Sequence, residues 1–198
     1  MRTLLALVAV AALAAVTVVV LRGNDAGDAR TGSVTLVGDS LNVGIEPYLP
    51  LELEGWTIDT DDVVGRATLA GVDALRTLGE GLAPVVVVSL GTNDAAGDVE
   101  GFRRLVQEAL RLAGPDRCVI WTTIVRDGSP REEQNDVLRA AAGANDNLRL
   151  VDWATMVAEE PELLAGDLVH ATEDGYVRRA QAIAEAVRAC PPRTPPQT

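Results

Sequence analysis

The chain has 198 residues, and its 29 acidic side chains against 17 basic ones leave a formal net charge of −12. Nucleic-acid binding needs a basic face for the phosphates, so this charge balance excludes a nucleic-acid partner. One histidine and two well-separated cysteines exclude a His-rich metal site, a zinc cluster and a disulfide-dense miniprotein. About 175 residues follow a first apolar segment, which is enough for one domain with a sizeable core.

The chain begins with a long apolar segment. Residues 3–21 are an uninterrupted stretch of apolar or small residues between Arg2 and Arg22. This stretch approaches the ~20 residues that a helix needs to cross a bilayer, whereas the apolar region of a cleavable signal is usually ~7–15 residues long. We therefore expect residues 1–22 to form an apolar helix that is either a signal anchor or a signal peptide. The charges that flank this segment, Arg2 on one side and Arg22 and Arg30 on the other, differ too little to fix its orientation. We expect the remainder of the chain to be extracytoplasmic.

Two polar segments flank the body of the chain. Residues 23–32 are rich in Gly and Asp and indicate a short linker. Residues 191–198 are proline-rich without apolar anchors, which is typical of a disordered tail. The folded domain is therefore expected to span residues 33–190.

Within the body, short segments rich in β-branched residues alternate with segments of helical spacing. The five predicted strands are Ser33–Val37, Trp56–Thr60, Pro84–Leu90, Cys118–Ile124 and Leu148–Asp152. Four consecutive valines, Val85 to Val88, suit a strand that is covered on both faces, as in a parallel sheet. The pattern predicts an α/β domain, a three-layer α/β/α sandwich around a five-stranded parallel sheet. Ligands of such a sheet bind at the carboxyl ends of its strands.

Two helix starts are marked by capping residues. Thr172 precedes the apolar stripe of the last helix and is expected to cap it. Ser129 to Glu132 offers a capping serine, a proline at the first helical position and an acid that closes a capping box. We expect this second helix to end at Gly143.

Two polar motifs follow predicted strands directly. Gly38-Asp39-Ser40-Leu41 comes after the first strand and places Ser40 on a strand-to-helix turn. Gly91-Thr92-Asn93-Asp94 comes after the third strand and brings the amide of Asn93 to the same edge of the sheet. Asp39 is expected to brace the turn, and Asp94 is interpreted as structural.

A third motif supplies an acid and a base. Asp167-Leu168-Val169-His170 places a carboxylate three residues before the only histidine, just ahead of the last helix. Asp167 can hold one ring nitrogen of His170 while the other nitrogen removes the proton of Ser40. The three motifs together predict nucleophilic catalysis by a serine.

These motifs resemble those of the SGNH hydrolases, also called GDSL esterases and lipases, and the likeness covers nearly all of residues 33–189. The first motif matches the nucleophile block of that family, the second its G-x-N-D block and the third its D-x-x-H block. A further block contributes a glycine to the oxyanion hole, for which Gly65 is the best match and Gly71 the alternative. The resemblance implies the flavodoxin-like SGNH fold.

The resemblance also assigns roles to individual residues. It makes Ser40 the nucleophile, His170 the general base and then acid, and Asp167 the orienting carboxylate. The oxyanion would be held by the backbone N–H groups of Ser40 and Gly65 and by the side-chain amide of Asn93. No metal ion and no cofactor is implied.

The implied function is a serine esterase that hydrolyses an ester, for example an O-acetyl group, through an acyl-enzyme. An extracytoplasmic position favours a cell-envelope carbohydrate or lipid as the substrate. The likeness extends to SGNH domains that accompany envelope O-acyltransferases, so acyl transfer to a sugar is an alternative. A catalytically idle module that binds a glycan or a protein is another, although such a module has no reason to keep all three motifs intact.

Two further residue types leave alternatives open. Cys118 starts the predicted fourth strand, and Cys190 ends the last helix, which runs antiparallel to the strands. Both ends fall at the edge of the sheet opposite the site, which predicts a disulfide; two separate thiols are the alternative. Trp153 follows the fifth strand and either lines the substrate pocket or packs in the core.

Overall fold

The computed structural model describes residues 31–191. The expected apolar helix of residues 1–22, most of the linker and most of the proline-rich tail lie outside the described residues. Within residues 31–191, no helix combines the length and apolar character that crossing a membrane requires.

The core of the domain is a five-stranded parallel sheet, as the sequence predicts. In chain order the strands are β1 (Ser33–Gly38), β2 (Thr57–Asp62), β3 (Val85–Ser89), β4 (Cys118–Thr122), the short β5 (Val125–Arg126) and β6 (Ser129–Pro130), and β7 (Leu148–Val151). The five long strands lie in the order β2-β1-β3-β4-β7, each parallel to its neighbours. Strand order reverses between β1 and β3, and ligands of doubly wound sheets bind at that switch point.

Helices cover both faces of the sheet and complete the three layers. They are α1 (Ser40–Val43), α2 (Leu49–Glu52), α3 (Thr68–Leu78), α4 (Val99–Ala113), α5 (Glu132–Ala144), α6 (Trp153–Glu159) and α7 (Glu173–Arg188). On β3, Val86 and Val88 join the core that packs under α3, α4 and α5. Val85 and Val87 join the opposite core, formed with α2 and α7. The run of valines is thus buried on both sides of a strand with a two-residue period.

The predicted capping box at Ser129 is wrong. Ser129 and Pro130 form β6, which pairs antiparallel with β5, and α5 begins only at Glu132. Its N-cap residue makes no side-chain cap hydrogen bond, and the helix ends at Ala144 rather than at Gly143. A tight turn at residues 127–128, both with positive φ, sends the chain into this hairpin before a helix can start.

The last helix begins as predicted, and it ends at Arg188, two residues before the predicted end at Cys190. The Thr172 side chain accepts a hydrogen bond from the Gly175 N–H at 3.2 Å and caps α7. Just beyond the other end of α7, Cys190 forms a disulfide with Cys118 at the start of β4, with the Cα atoms 6.0 Å apart. The predicted disulfide is therefore present, on the edge of the sheet opposite the carboxyl ends of the strands.

Candidate active site

Ser40 is the first residue of α1, on a turn that Asp39 holds. Asp39 is fully buried, caps α1, and accepts a hydrogen bond from the Leu41 N–H at 2.9 Å through Oδ1. Gly38 makes the turn possible, because a Cβ at this position would lie only 2.5–2.7 Å from the Asn42 side chain. Asp39 therefore braces the turn, as expected, and the helix start fixes Ser40 at the carboxyl end of β1.

His170 links Ser40 to Asp167. The Nε2 atom of His170 lies 3.0 Å from Ser40 Oγ, and its Nδ1 atom lies 2.6 Å from Asp167 Oδ2. The structure thus brings together three side chains that are up to 130 residues apart in the chain. With Nδ1 protonated, Nε2 is the acceptor that faces the serine hydroxyl.

Asp167 is held by more than the imidazole. Its Oδ1 atom accepts hydrogen bonds from the backbone N–H groups of Val169 at 3.0 Å and of His170 at 2.9 Å. The hydrogen bond from the His170 side chain, followed by those from the two backbone amides, lowers the pKa of Asp167 to about 2. Asp167 is therefore a carboxylate at neutral pH, and the exposure of 53 % of its side chain also favours the charged form.

The loop that carries this pair is set by its backbone. Leu168 has a φ of 59°, an uncommon conformation for a leucine, and is 49 % exposed. Its carbonyl accepts a hydrogen bond from the Gly128 N–H at 2.8 Å, and the Ala165 N–H donates to the His170 carbonyl at 2.8 Å. The hairpin of β5 and β6 therefore supports the loop that presents His170.

Asn93 joins the nucleophile turn to the loop after β2. Its Nδ2 atom donates to Asp39 Oδ2 at 3.1 Å and to the Arg66 carbonyl at 3.2 Å. Gly65, immediately before Arg66, has a φ of 76°, a value that favours glycine. The N–H of Gly71, by contrast, donates to the Ala67 carbonyl at the start of α3, which removes this alternative as an oxyanion donor.

Two other side chains have structural roles. Asp94 accepts a hydrogen bond from the Thr68 N–H at 2.8 Å and so fixes the start of α3 against the motif after β3. Trp153 is fully buried and packs with α6 and the hairpin, so it belongs to the core and does not line a pocket.

Apolar side chains are exposed near the site. Val63 and Val64, in the loop that carries Gly65, are 48 % and 71 % exposed. A cleft of about 360 Å³ is lined by Asn93 together with Leu69, Leu105 and other residues of α3 and α4. An apolar part of a ligand has room here beside the amide of Asn93.

Arg179 is the feature that sequence reasoning missed. It lies on α7, is 1 % exposed, and its Nη2 atom donates to Ser89 Oγ at 2.7 Å and to Thr122 Oγ1 at 2.9 Å. These hydroxyls are on the last residues of β3 and β4, so the guanidinium lies at the carboxyl edge of the sheet. Its place three residues after Tyr176, on the apolar stripe of the helix, is the only feature of the sequence that points to the buried face.

The site shows no metal cluster. Across residues 31–191, no group of three or more His, Cys, Asp or Glu side chains is arranged to hold a metal ion. The donors that the structure assembles are a hydroxyl, an imidazole, a carboxylate and an amide, which suit acid–base and nucleophilic chemistry.

No family model matches the chain. In sequence it is 28 % identical over 160 residues to the Bacillus subtilis protein named "Putative peptidoglycan O-acetyltransferase YrhL". That match covers 78 % of this chain but only 24 % of the relative, so the chain spans about a quarter of the relative's length.

Solved structures with the same fold include two bacterial proteins. The C-terminal catalytic domain of Streptococcus pneumoniae peptidoglycan O-acetyltransferase A has a TM-score of 0.68 at 22 % identity, covering 80 % of this chain and 93 % of that one. A member of the lipolytic G-D-S-L family from Veillonella parvula has a TM-score of 0.66 at 19 % identity, covering 81 % and 98 %. The resemblance to SGNH hydrolases that the motifs predicted is confirmed.

Proposed function

We propose that this chain, which has the SGNH hydrolase fold, is a serine esterase that works through an acyl-enzyme. The observation that carries the proposal is the continuous chain of contacts from Ser40 Oγ to His170 Nε2 at 3.0 Å and from His170 Nδ1 to Asp167 Oδ2 at 2.6 Å. A neutral imidazole in this position accepts the serine proton, while the carboxylate fixes its tautomer.

The reaction follows from these positions. Ser40 Oγ attacks the ester carbonyl carbon, and its proton passes to His170 Nε2. Asp167 remains ionised and stabilises the imidazolium, which then protonates the departing alcohol as the carbon–oxygen bond breaks. Water attacks the acyl-enzyme with His170 as base again, and release of the acid restores the serine hydroxyl.

The tetrahedral oxyanion needs donors on the side away from His170. We assign the backbone N–H groups of Ser40 and Gly65 and the side-chain amide of Asn93 to this role. Asp39 and the Arg66 carbonyl orient the Asn93 amide, at 3.1 and 3.2 Å, and one of its two N–H groups is to be shared with the oxyanion. A preorganised donor of this kind contributes on the order of 3 kcal/mol to lowering the barrier.

For the substrate, we propose an O-acyl ester of a cell-envelope carbohydrate, reached outside the cytoplasm with residues 3–21 as anchor or export signal. Support comes from the similar B. subtilis and S. pneumoniae proteins, both of which are named for peptidoglycan O-acetyl transfer. The cleft beside Asn93 gives space for a part of the substrate next to the reacting carbonyl. The net charge of −12 disfavours polyanionic substrates.

The direct test uses the full chain with p-nitrophenyl esters and O-acetylated sugars, together with a fluorophosphonate probe. We expect turnover of at least one ester and labelling of Ser40 only. The Ser40→Ala variant should lose hydrolysis and labelling, while Ser129→Ala, at an exposed position on the hairpin, should keep both. Full activity in Ser40→Ala, or a label on another serine, would contradict the mechanism.

Acyl transfer is a second candidate, favoured by the same two similar proteins. Water and a sugar hydroxyl compete for one acyl-enzyme, so the two functions differ in how that intermediate partitions. The measurement is the ratio of free acid to acylated sugar when an N-acetylglucosamine oligomer is added. A ratio that falls with oligomer concentration assigns a transferase, whereas a constant ratio assigns an esterase. A wild-type chain with neither turnover nor labelling would be a binding module.

A further inference from the structure

Two ionisable side chains in residues 31–191 are buried from solvent, and they carry opposite charges. Asp39 is 0 % exposed and Arg179 is 1 % exposed. Asp39 caps α1, the helix that begins with Ser40, and accepts a hydrogen bond from the Asn93 amide. Arg179 belongs to α7. Burying a charge is costly unless an opposite charge compensates it.

Ser89 forms hydrogen bonds with both residues. Arg179 Nη2 donates to Ser89 Oγ at 2.7 Å, and the Asp39 backbone N–H donates to the Ser89 carbonyl at 3.2 Å. Two further nitrogens of Arg179, Nε and Nη1, are buried without a hydrogen-bond partner among the described residues. The guanidinium lies over the Trp153 ring, 5.0 Å from its centroid. No carboxylate in the described part of the chain contacts this cation directly, so its charge acts on Asp39 through space.

The charges of both groups follow from their surroundings. Burial lowers the pKa of Arg179 to about 10, which leaves the guanidinium protonated at neutral pH. Burial raises the pKa of Asp39, and the Leu41 amide and the charges of Arg179 and His170 oppose that rise, while Asp94 adds to it. The charge of Asp39 in turn helps to raise the pKa of Asp62 on the neighbouring strand.

We propose that Arg179 is a positioning residue for the esterase site: its buried guanidinium, held on Ser89 and Thr122, is the counter-charge that keeps Asp39 ionised. An ionised Asp39 is an acceptor on both oxygens, and it uses them for the Leu41 N–H and the Asn93 amide. A protonated Asp39 would lose one of these acceptors and release either the nucleophile turn or the oxyanion amide. Arg179 thus acts on catalysis without touching the substrate, and this role rests on the proposed function.

The test is a double-mutant cycle on the full chain with Arg179→Met, Asp39→Asn and the double variant. The first measurement is the folding equilibrium constant from urea denaturation, which needs no substrate. We expect the double variant to be about 10-fold or more better folded than the product of the two single effects predicts, because each single change leaves one buried charge unpaired. Additive effects would overturn the proposal.

The second measurement is the pH profile of kcat/KM. In Arg179→Met we expect kcat at pH 7 to fall about 100-fold with KM little changed, and this loss to shrink as the pH rises. The acidic limb should move to higher pH because Asp39 then takes up a proton more easily. Arg179→Lys should return the acidic limb to its wild-type pH. In the Asp39→Asn background, Arg179→Met should leave the acidic limb where it is. Arg111→Met, on the exposed face of α4, is the matched control and should change neither quantity.

The outcomes separate the two proposals. An unshifted limb, or an equal loss of kcat at every pH, would assign Arg179 a packing role and overturn the inference. Failure of the wild-type chain to hydrolyse any ester would overturn the proposed function instead, because the folding cycle is read without activity.

Discussion

A carboxyl–amide pair beside the nucleophile helix makes the stability of this protein depend on pH. Asp62, the last residue of β2, accepts a hydrogen bond from the Asn42 Nδ2 atom at 3.1 Å. The other oxygen of Asp62 and the Asn42 side-chain oxygen are both buried without a hydrogen-bond partner among the described residues. Two buried acceptors are thus left without a donor, and an amide at position 62 would add the donor that a carboxylate lacks.

We predict that Asp62→Asn stabilises the fold at pH 7, because its amide supplies the missing donor without a buried charge. Burial raises the pKa of Asp62 from 3.8 to about 6, against the opposing Asn42 hydrogen bond. A shift of about two units corresponds to about 3 kcal/mol, which partial solvent screening reduces to about 2 kcal/mol in the free energy of unfolding.

Proton linkage determines the direction in which the free energy of unfolding changes with pH. The folded chain binds the Asp62 proton more tightly than the unfolded chain does. The loss of unfolding free energy caused by the buried charge is therefore complete above pH 6 and vanishes as the pH falls towards 3.8. The advantage of Asp62→Asn over the wild type should therefore shrink from pH 7 to pH 4.

The assay is urea denaturation of both chains at intervals from pH 4 to pH 7. Asp59→Asn is the matched control, since it removes the same charge from an exposed position on the same strand. It should leave the free energy of unfolding and its pH dependence nearly unchanged. A destabilised Asp62→Asn variant, or a difference from wild type that is constant with pH, would refute the reasoning.

Three other predictions concern catalysis, the disulfide and the start of α7. Asn93→Ala should lower kcat about 100-fold with little change in KM in steady-state ester hydrolysis, and an equal rise in KM would instead indicate ground-state binding. Replacing Cys118 and Cys190 by serine should cost about 4 kcal/mol of unfolding free energy, since the bond spans 72 positions, and should leave kcat unchanged; an unaltered melting temperature would contradict this. Gly175→Ala should destabilise the domain by about 1–3 kcal/mol in the same denaturation assay, because its Cβ would collide with the Leu163 carbonyl, and a stability equal to wild type would show that this backbone can move.

The sheet was predictable because parallel strands are buried on both faces. Such strands appear in sequence as continuous β-branched runs, and Val85 to Val88 is the clearest of them. The first two motifs could be placed at one edge because the carboxyl ends of parallel strands meet there. The third falls at the same edge because it precedes a helix that runs antiparallel to the strands. This reasoning located Ser40, Asn93 and His170 near one another without any knowledge of distances.

Local signals failed where tertiary contacts override them. Ser129 and Pro130 have the composition of a helix start, but in the structure they pair with β5 in a hairpin. Asn135 stabilises that outcome, because its side chain bonds both the N–H and the carbonyl of Ile124, at 2.7 and 2.9 Å. No pattern within residues 129–132 contains this contact, which comes from the following helix.

Arg179 escaped prediction for a different reason. Arginine is almost never fully buried, so a charged residue on an apolar stripe is normally taken to reach solvent past its neighbours. The two hydroxyls that receive its guanidinium, on Ser89 and Thr122, belong to separate strands. Only the sheet order, with β3 and β4 adjacent, brings them together.

The disulfide places a restriction on the length of α7 that no single side chain reveals. The helix has 16 residues, about 24 Å at 1.5 Å per residue, between the loop that presents His170 and the bond that fixes Cys190 to the sheet. Inserting or deleting one residue in α7 would rotate the preceding part of the helix and the His170 loop by about 100° relative to the end fixed by the disulfide, and would shift them by about 1.5 Å. The number of residues in α7, as much as their identity, therefore determines where the imidazole stands.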